Sequence, residues 1–404
     1  MTNETWTIKR CLDWTRGYLE RHGDERPRLS AEWLLSSITG LSRTELYVNF
    51  DQPLAADELA RMHDAVVRRA KGEPLQYIAG ETTFRTIDVM CEPGVLIPRP
   101  ETEVLVEEVL TYLDGEVLGV DAAPARRPRV ELPWNAEVEA RRRAEEAAAA
   151  ETVNAAEDDA AAGAAVDGPA AGEAPGEDGA LAPVGASVAS GVAGLAEETE
   201  SRVEDAAEGR VEDLAEEPPG PGRRPCARVL EVGCGTGCIS LSLAAEREGR
   251  VFCVATDIEP RAVDLAERNR EALGISEQAV DFRLGNLVSP LDRQTEWGSF
   301  DVLVSNPPYV PTNVLAALPH EVACYEPALA LDGGSDGLDI FRRLLKAAPF
   351  MLREGGLLAC ELYEESLDEA AALCQGAGMA DVRVVHDLAD RPRVILARTT
   401  VAAR

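Results

Sequence analysis

The sequence predicts a two-part α/β protein, a small helical bundle followed by a doubly wound sheet. Apolar residues recur at helical spacing over 1–78, and from Ala227 onward short β-branched runs alternate with helical segments. A third observation separates the parts: an acidic, low-complexity stretch over 115–225.

Over 1–78, Leu12, Leu19, Leu34, Leu35, Leu41, Leu46, Leu59, Met62, Val66 and Val67 lie between polar faces at helical intervals. Pro27 and Gly40 punctuate the run, and Ser30 reads as an N-cap before Ala31. Residues 79–100 change character. Thr82, Phe84, Ile87, Val89 and Val95 predict short strands and turns, a β-hairpin linker. A helix is expected over 101–113, making 101–114 the first helix of the second domain.

Ala, Glu, Gly, Asp and Pro dominate 115–225, and Trp134 is its only aromatic residue. Its 25 acidic and 10 basic residues supply nearly half of the net charge of −32. Such a composition buries too little apolar surface to offset its ordering entropy. Disorder is expected, with transient helix at about 137–151.

Regular structure resumes in 226–404. Strands are expected at 228–232, 251–257, 280–284, 300–305, 356–362, 382–386 and 393–397, with helices opening at 238, 260, 339 and 367. The alternation implies a parallel, doubly wound sheet. The short last connection implies antiparallel pairing at one edge.

A chain this acidic is a poor polyanion binder, because affinity for nucleic acid rests on Lys and Arg neutralising phosphates. Several of the nine cysteines fall in apolar runs, and small core residues are expected. Cys234 and Cys238 lack a second pair or a nearby His at zinc spacing, so no metal site is expected. The polar start, and the lack of any run of about 18 apolar residues, predict a cytoplasmic protein without a membrane segment.

Glu231-Val-Gly233-Cys234-Gly235-Thr236-Gly237 sits between a strand and a helix. Gly233 and Gly235 allow a tight turn and close ligand approach, and Gly237 allows the helix to pack near the sheet. Asp257, 20 residues beyond Gly237 at the end of the next strand, is placed to accept hydrogen bonds from both ribose hydroxyls of a nucleoside. The spacing Gly-x-Gly-x-Gly differs from the dinucleotide pattern Gly-x-Gly-x-x-Gly. With Glu231 ahead of it, the loop suits the zwitterionic methionyl end of S-adenosylmethionine better than a pyrophosphate.

The fourth strand runs into Asn306-Pro307-Pro308-Tyr309. Two prolines fix the backbone and remove two amide donors, leaving the carbonyl before Pro308 to face a ligand. Asn306 adds an acceptor and a donor, and Tyr309 a flat ring. Together they suit a planar –NH2 group held for methylation, where the protein's task is alignment and polarisation rather than strong base catalysis.

Taken together these residues resemble the HemK/PrmC family, the protein-(glutamine-N5) methyltransferases of peptide chain release factors. The resemblance also covers Gly72-Glu-Pro-Leu-Gln-Tyr-Ile78, Leu96-Ile-Pro-Arg-Pro-Glu-Thr-Glu103, Glu321, Tyr325-Glu-Pro327, Ala330-Leu-Asp-Gly-Gly334 and Asp336-Gly-Leu338, nearly the whole chain outside the insert. It implies a Rossmann-like, seven-stranded class I S-adenosylmethionine-dependent methyltransferase domain behind a helical domain that helps grip a class 1 release factor. It implies transfer to the glutamine of a Gly-Gly-Gln loop; a monomer is expected, and the acidic balance predicts no direct contact with nucleic acid. Glu231, Gly233 to Gly237 and Asp257 would hold the methyl donor, with Asn306 beside it; Asn306, Pro307, Pro308 and Tyr309 would hold the glutamine. Arg99, Pro100 and Glu101 would lie near that pocket. This sequence departs from the family after the third strand, where Asn286-Leu287 replaces an acidic residue and an aromatic beside the adenine. Asn286 keeps an acceptor and Leu287 an apolar face.

Two other readings share features. An adenine-N6 methyltransferase would use the same tetrad but needs a basic face, and Arg61, Arg68, Arg69 and Lys71 are a modest one. A non-catalytic scaffold would carry a damaged loop or tetrad, and both are intact. His63 and His386 read as structural, and His320 stands near enough to the tetrad for a substrate-side role.

Overall fold

Thr7 caps the first helix by accepting from the Arg10 amide, and the N-terminal bundle starts there. Among the residues described by the computed structural model, 5–119 and 225–400, it comprises α1 (Ile8–Arg21), α2 (Pro27–Thr39), α3 (Arg43–Val48), α4 (Ala56–Ala70) and α5 (Leu75–Ala79). The expected leucine positions close its core around Leu19, Leu34, Leu35, Leu46 and Val66. Ser30 is not a cap. Helix α2 begins a turn earlier at Pro27, whose fixed φ suits a first helical turn. Ser30 is buried inside it and donates to Asp24 at 2.8 Å. Gly40 ends α2 in the left-handed region, at φ 73°.

Strands β1 (Glu81–Phe84) and β2 (Ile87–Met90) pair antiparallel as the expected hairpin. Helix α6 (Thr102–Tyr112) then continues into a π-helical turn, Leu113–Leu118. Leu113, Val117 and Leu118 are buried in the main core, so ordered chain extends past the boundary expected at 114. From 120 to 224 the acidic insert, with its expected transient helix, lies outside the described residues.

The large sheet contains β3 (Ala227–Val232), β4 (Val251–Asp257), β5 (Val280–Leu284), β6 (Phe300–Ser305), β7 (Leu352–Glu361), β8 (Ala380–His386) and β9 (Pro392–Arg398). Its order is β5-β4-β3-β6-β7-β9-β8. All neighbours are parallel except β9, which runs antiparallel to β7 and β8. This is the seven-stranded methyltransferase arrangement that the sequence predicts. One face packs on α6 and α7 (Cys238–Glu246); the other packs on α11 (Asp339–Met351) and α12 (Leu367–Gly376). Burial on both faces explains why β3 and β6 carry consecutive apolar residues, Val229-Leu230 and Val302-Leu303-Val304, rather than a strict alternation. Helix α8 (Pro260–Ala272) links β4 to β5. Two short helices, α9 (His320–Tyr325) and α10 (Ala328–Leu331), interrupt the segment after the tetrad.

Seven of the nine cysteines are buried, Cys226 is half-buried and Cys324 is exposed; none forms a disulfide. Among the described residues no helix is long and apolar enough to cross a membrane. The order of strands reverses at β3, with β4 on one side and β6 on the other. Chain direction therefore opens a crevice between the carboxyl ends of β3 and β6.

Candidate active site

A cavity of about 300 Å³ fills that crevice. Its floor is the glycine loop, and its walls include Val95 to Arg99, the end of β4 and Asn306 to Pro308. The loop's three glycines take positive φ and divide into two jobs. A Cβ on Gly233 would meet no atom within 4 Å, leaving that backbone open to a ligand. A Cβ on Gly237 would stand 2.8 Å from Phe282 Cζ and 3.1 Å from Ala266 Cβ. Gly237 is thus the packing glycine, and it does not line the cavity.

Glu231, only 1% exposed, also lines the cavity. Its Oε2 accepts from the Ser240 amide at 3.0 Å and from the Ser240 hydroxyl. Its Oε1 is buried and has no partner among the described residues. Burial pushes this carboxyl up to about 8, against the pull of the Ser240 bonds. Asp257 accepts from the Gly235 amide at 2.9 Å and from the Glu259 amide at 2.9 Å. Asp257 lines the cavity, and a carboxylate has acceptor capacity beyond these bonds. Burial also raises the Asp257 carboxyl above its usual range.

Cys234, Thr236, Asn286 and Leu287 line the cavity as expected. The Asn286 carbonyl oxygen already accepts from Arg343 at 2.8 Å, a partner invisible in the sequence. Ile258, directly after Asp257, lines the same region with half its surface exposed.

The tetrad is tied to the glycine loop at its base, where the Ser305 hydroxyl donates to the Val232 carbonyl at 2.6 Å. Asn306 donates through Nδ2 to the Thr102 hydroxyl at 3.0 Å. The Thr102 hydroxyl in turn donates to Glu361 Oε2 at 2.6 Å. Tyr309 donates from its hydroxyl to Glu361 Oε1 at 3.1 Å, and its ring packs on the core that covers α11. Asn306, Pro307 and Pro308 line the cavity; Tyr309 does not.

Of the three residues expected beside the pocket, Arg99 lines it and forms an ion pair with buried Glu326. Pro100 and Glu101 do not line it. The next residue, Thr102, does so instead, because helix α6 starts there and turns its first hydroxyl inward. Sequence reasoning missed Thr102 and Glu361. The signal for Glu361 was a lone carboxylate closing the apolar run that ends β7. His320 stands not in the cavity but against Gly72, where a Cβ would be 2.7 Å from its Nδ1. Beside it, Arg69 pairs with Glu321 at 2.9 Å, and the Tyr325 hydroxyl donates to the Lys71 carbonyl at 3.1 Å.

Residues 10–80 match the PrmC N-terminal domain, and residues 224–385 match a methyltransferase domain. A release factor glutamine methyltransferase from Geobacter sulfurreducens is 34% identical over 97% of this chain and 96% of its own. The chain belongs to the release factor glutamine methyltransferase family. Members from Moorella thermoacetica and Chlorobaculum tepidum are 30% and 29% identical, over 97% and 95% of this chain and 98% and 94% of their own. Among solved structures, a methyltransferase from Pyrococcus furiosus aligns with 44% of this chain and 77% of its own, at 21% identity and a TM-score of 0.32. The family membership agrees with the resemblance drawn from the 96–103 run and the tetrad, and both segments contribute residues to the cavity described above.

Proposed function

We propose that this protein transfers a methyl group from S-adenosylmethionine to the side-chain amide N5 of the glutamine in a release factor's Gly-Gly-Gln loop. One observation carries the reading. The Asn306 amide gives its nitrogen to Thr102, which leaves Oδ1 as an acceptor at the rim of the cavity that contains the glycine loop.

The residues present fit the methyl donor. Glu231 Oε1 is a buried acceptor lacking a partner, suited to an ammonium group. Asp257 offers lone pairs to two ribose hydroxyls, and Gly233 offers open backbone. Cys234, Gly235 and Thr236 complete the loop, Gly237 seats it, and Asn286, Leu287 and Ile258, which line the cavity, would flank the adenine. When bound, S-adenosylmethionine supplies an electrophilic methyl group on a sulfonium.

The chain's own task is to present the amide. Asn306 Oδ1 and the Pro307 carbonyl accept the two N–H bonds of the glutamine –NH2. That fixes its plane and draws electron density onto a nitrogen whose lone pair is otherwise delocalised. Pro308 stiffens the turn, and Tyr309 braces the tetrad from behind the cavity, its ring in the core and its hydroxyl on Glu361. Arg99 and Thr102 shape the approach, and Pro100 and Glu101 lead from one to the other outside the cavity. No strong base is needed, because the nitrogen gives up its proton once the new bond has made it acidic. Residues 1–78 grip the release factor, 79–100 join them to the catalytic part, and the enzyme acts as a cytoplasmic monomer on protein rather than nucleic acid.

Asn306→Ala tests the assignment. Turnover should fall by at least about 10²-fold, while S-adenosylmethionine affinity by calorimetry stays near wild type. Equal loss of both would remove Asn306 from the amide site.

A further inference from the structure

We infer that Glu361 is a positioning residue for the amide pocket, a buried carboxylate that sets the direction of the hydrogen bonds orienting Asn306 and Tyr309. The inference rests on reading Asn306 as the acceptor for the substrate amide. Glu361 ends β7, which lies beside β6, and it is 1% exposed. It does not line the cavity. Its two oxygens meet Thr102 at 2.6 Å and Tyr309 at 3.1 Å.

An ionised carboxylate only accepts, so both hydroxyls must donate to it. Thr102 has a single hydroxyl proton. With that proton directed at Glu361, Thr102 offers Asn306 only a lone pair. Asn306 must answer with Nδ2, at 3.0 Å, and its Oδ1 is left for the substrate. The two orientations of an amide side chain have nearly the same shape, and sterics alone distinguishes them poorly. The reverse orientation would set –NH2 against the substrate's –NH2. Glu361 removes that alternative from one residue away. The same carboxylate fixes the Tyr309 hydroxyl, so both side chains of the tetrad are referred to one charge. Two donors also offset part of the cost of burying that charge. Burial raises the Glu361 carboxyl, while the Thr102 and Tyr309 bonds pull it back down.

Glu361→Gln keeps the volume but introduces a donor, which reverses one of the two chains. Turnover should fall about 10- to 100-fold, as for other groups that support a reacting site from behind. The calorimetric affinity for S-adenosylmethionine should stay within about twofold, and the melting temperature should barely move. Thr102→Val should lose turnover similarly, and Thr102→Ser, which keeps the hydroxyl, should recover most of that loss. The double variant Glu361→Gln/Thr102→Val should lose little more than the worse single change, because both act on one chain. Wild-type turnover in Glu361→Gln would overturn the inference, as would strictly additive losses or a failure of Thr102→Ser to recover activity. If Glu361→Gln does not fold, the Thr102 pair decides. Asn306→Ala separates the two levels: inactive Asn306→Ala beside active Glu361→Gln sinks this inference alone, whereas active Asn306→Ala sinks the amide site itself.

Discussion

The Glu231 carboxyl shows at the scale of one residue how burial prepares a site for a charged ligand. It is raised from the ordinary 4.5 to about 8, chiefly by desolvation. Between those values the unfolded chain has lost the proton and the folded chain still holds it. The ligand-free fold therefore loses stability as pH rises through that window. An ammonium group beside Oε1 favours the ionised form, so binding S-adenosylmethionine near neutral pH should release a proton, with affinity rising until about pH 8. Calorimetry in two buffers of different ionisation heat checks this; identical heats would contradict it, and Glu231→Gln should show no release. The glycines give a second contrast. Gly237→Ala places a Cβ 2.8 Å from Phe282 and should cost roughly 1–3 kcal/mol, read as a lower melting temperature. Gly233→Ala meets no neighbour but strains a backbone at φ 79°, so it should cost stability through the backbone alone while also intruding on the open space left to the donor. The loop and tetrad were legible because local spacing alone defines them. Thr102 and Glu361 were not, since they meet across 259 residues and act through hydrogen-bond direction.

Elements were legible in proportion to their length and apolar pattern. β4, β5 and β6 fall on their expected residues because β4 and β6 are mostly apolar over their length and β5 alternates apolar with charged residues at strand period. Helices α9 and α10, at six and four residues, are too short to carry a helical period, and their apolar residues are not buried. At α2 the Ser30 signal misled because proline at a first helical position outweighs a polar residue one turn later. Strand β6 matters most, since it carries the tetrad at its end and packs between β3 and β7. Leu303, at its centre, is fully buried. Leu303→Ala should cost about 2–5 kcal/mol, visible as a lower denaturant midpoint with the slope unchanged. A cost under 1 kcal/mol would mean that the strand's environment repacks.

For the whole molecule, the long acidic insert is the part least explained by the fold. Arg250 donates to the Leu118 carbonyl at 3.0 Å and to the Pro225 carbonyl at 3.3 Å, so one side chain ties together the residues on either side of the insert. Each doubling of a loop adds only about 0.6 kcal/mol of closure cost, and shortening it should do equally little. Replacing 120–224 with a short Gly/Ser linker should leave turnover within a few-fold of wild type; its loss would give the insert a role in catalysis or substrate binding. Helical domain, sheet and crevice were all legible from periodicity and alternation, whereas the target of the methyl group comes from family and site together. The most direct test incubates the enzyme with S-adenosylmethionine and a release factor, then maps the product by tandem mass spectrometry. The account predicts one added methyl on the amide of the Gly-Gly-Gln glutamine, absent with Asn306→Ala. A methyl found on any other residue, or on nucleic acid with the glutamine unmodified, would contradict it.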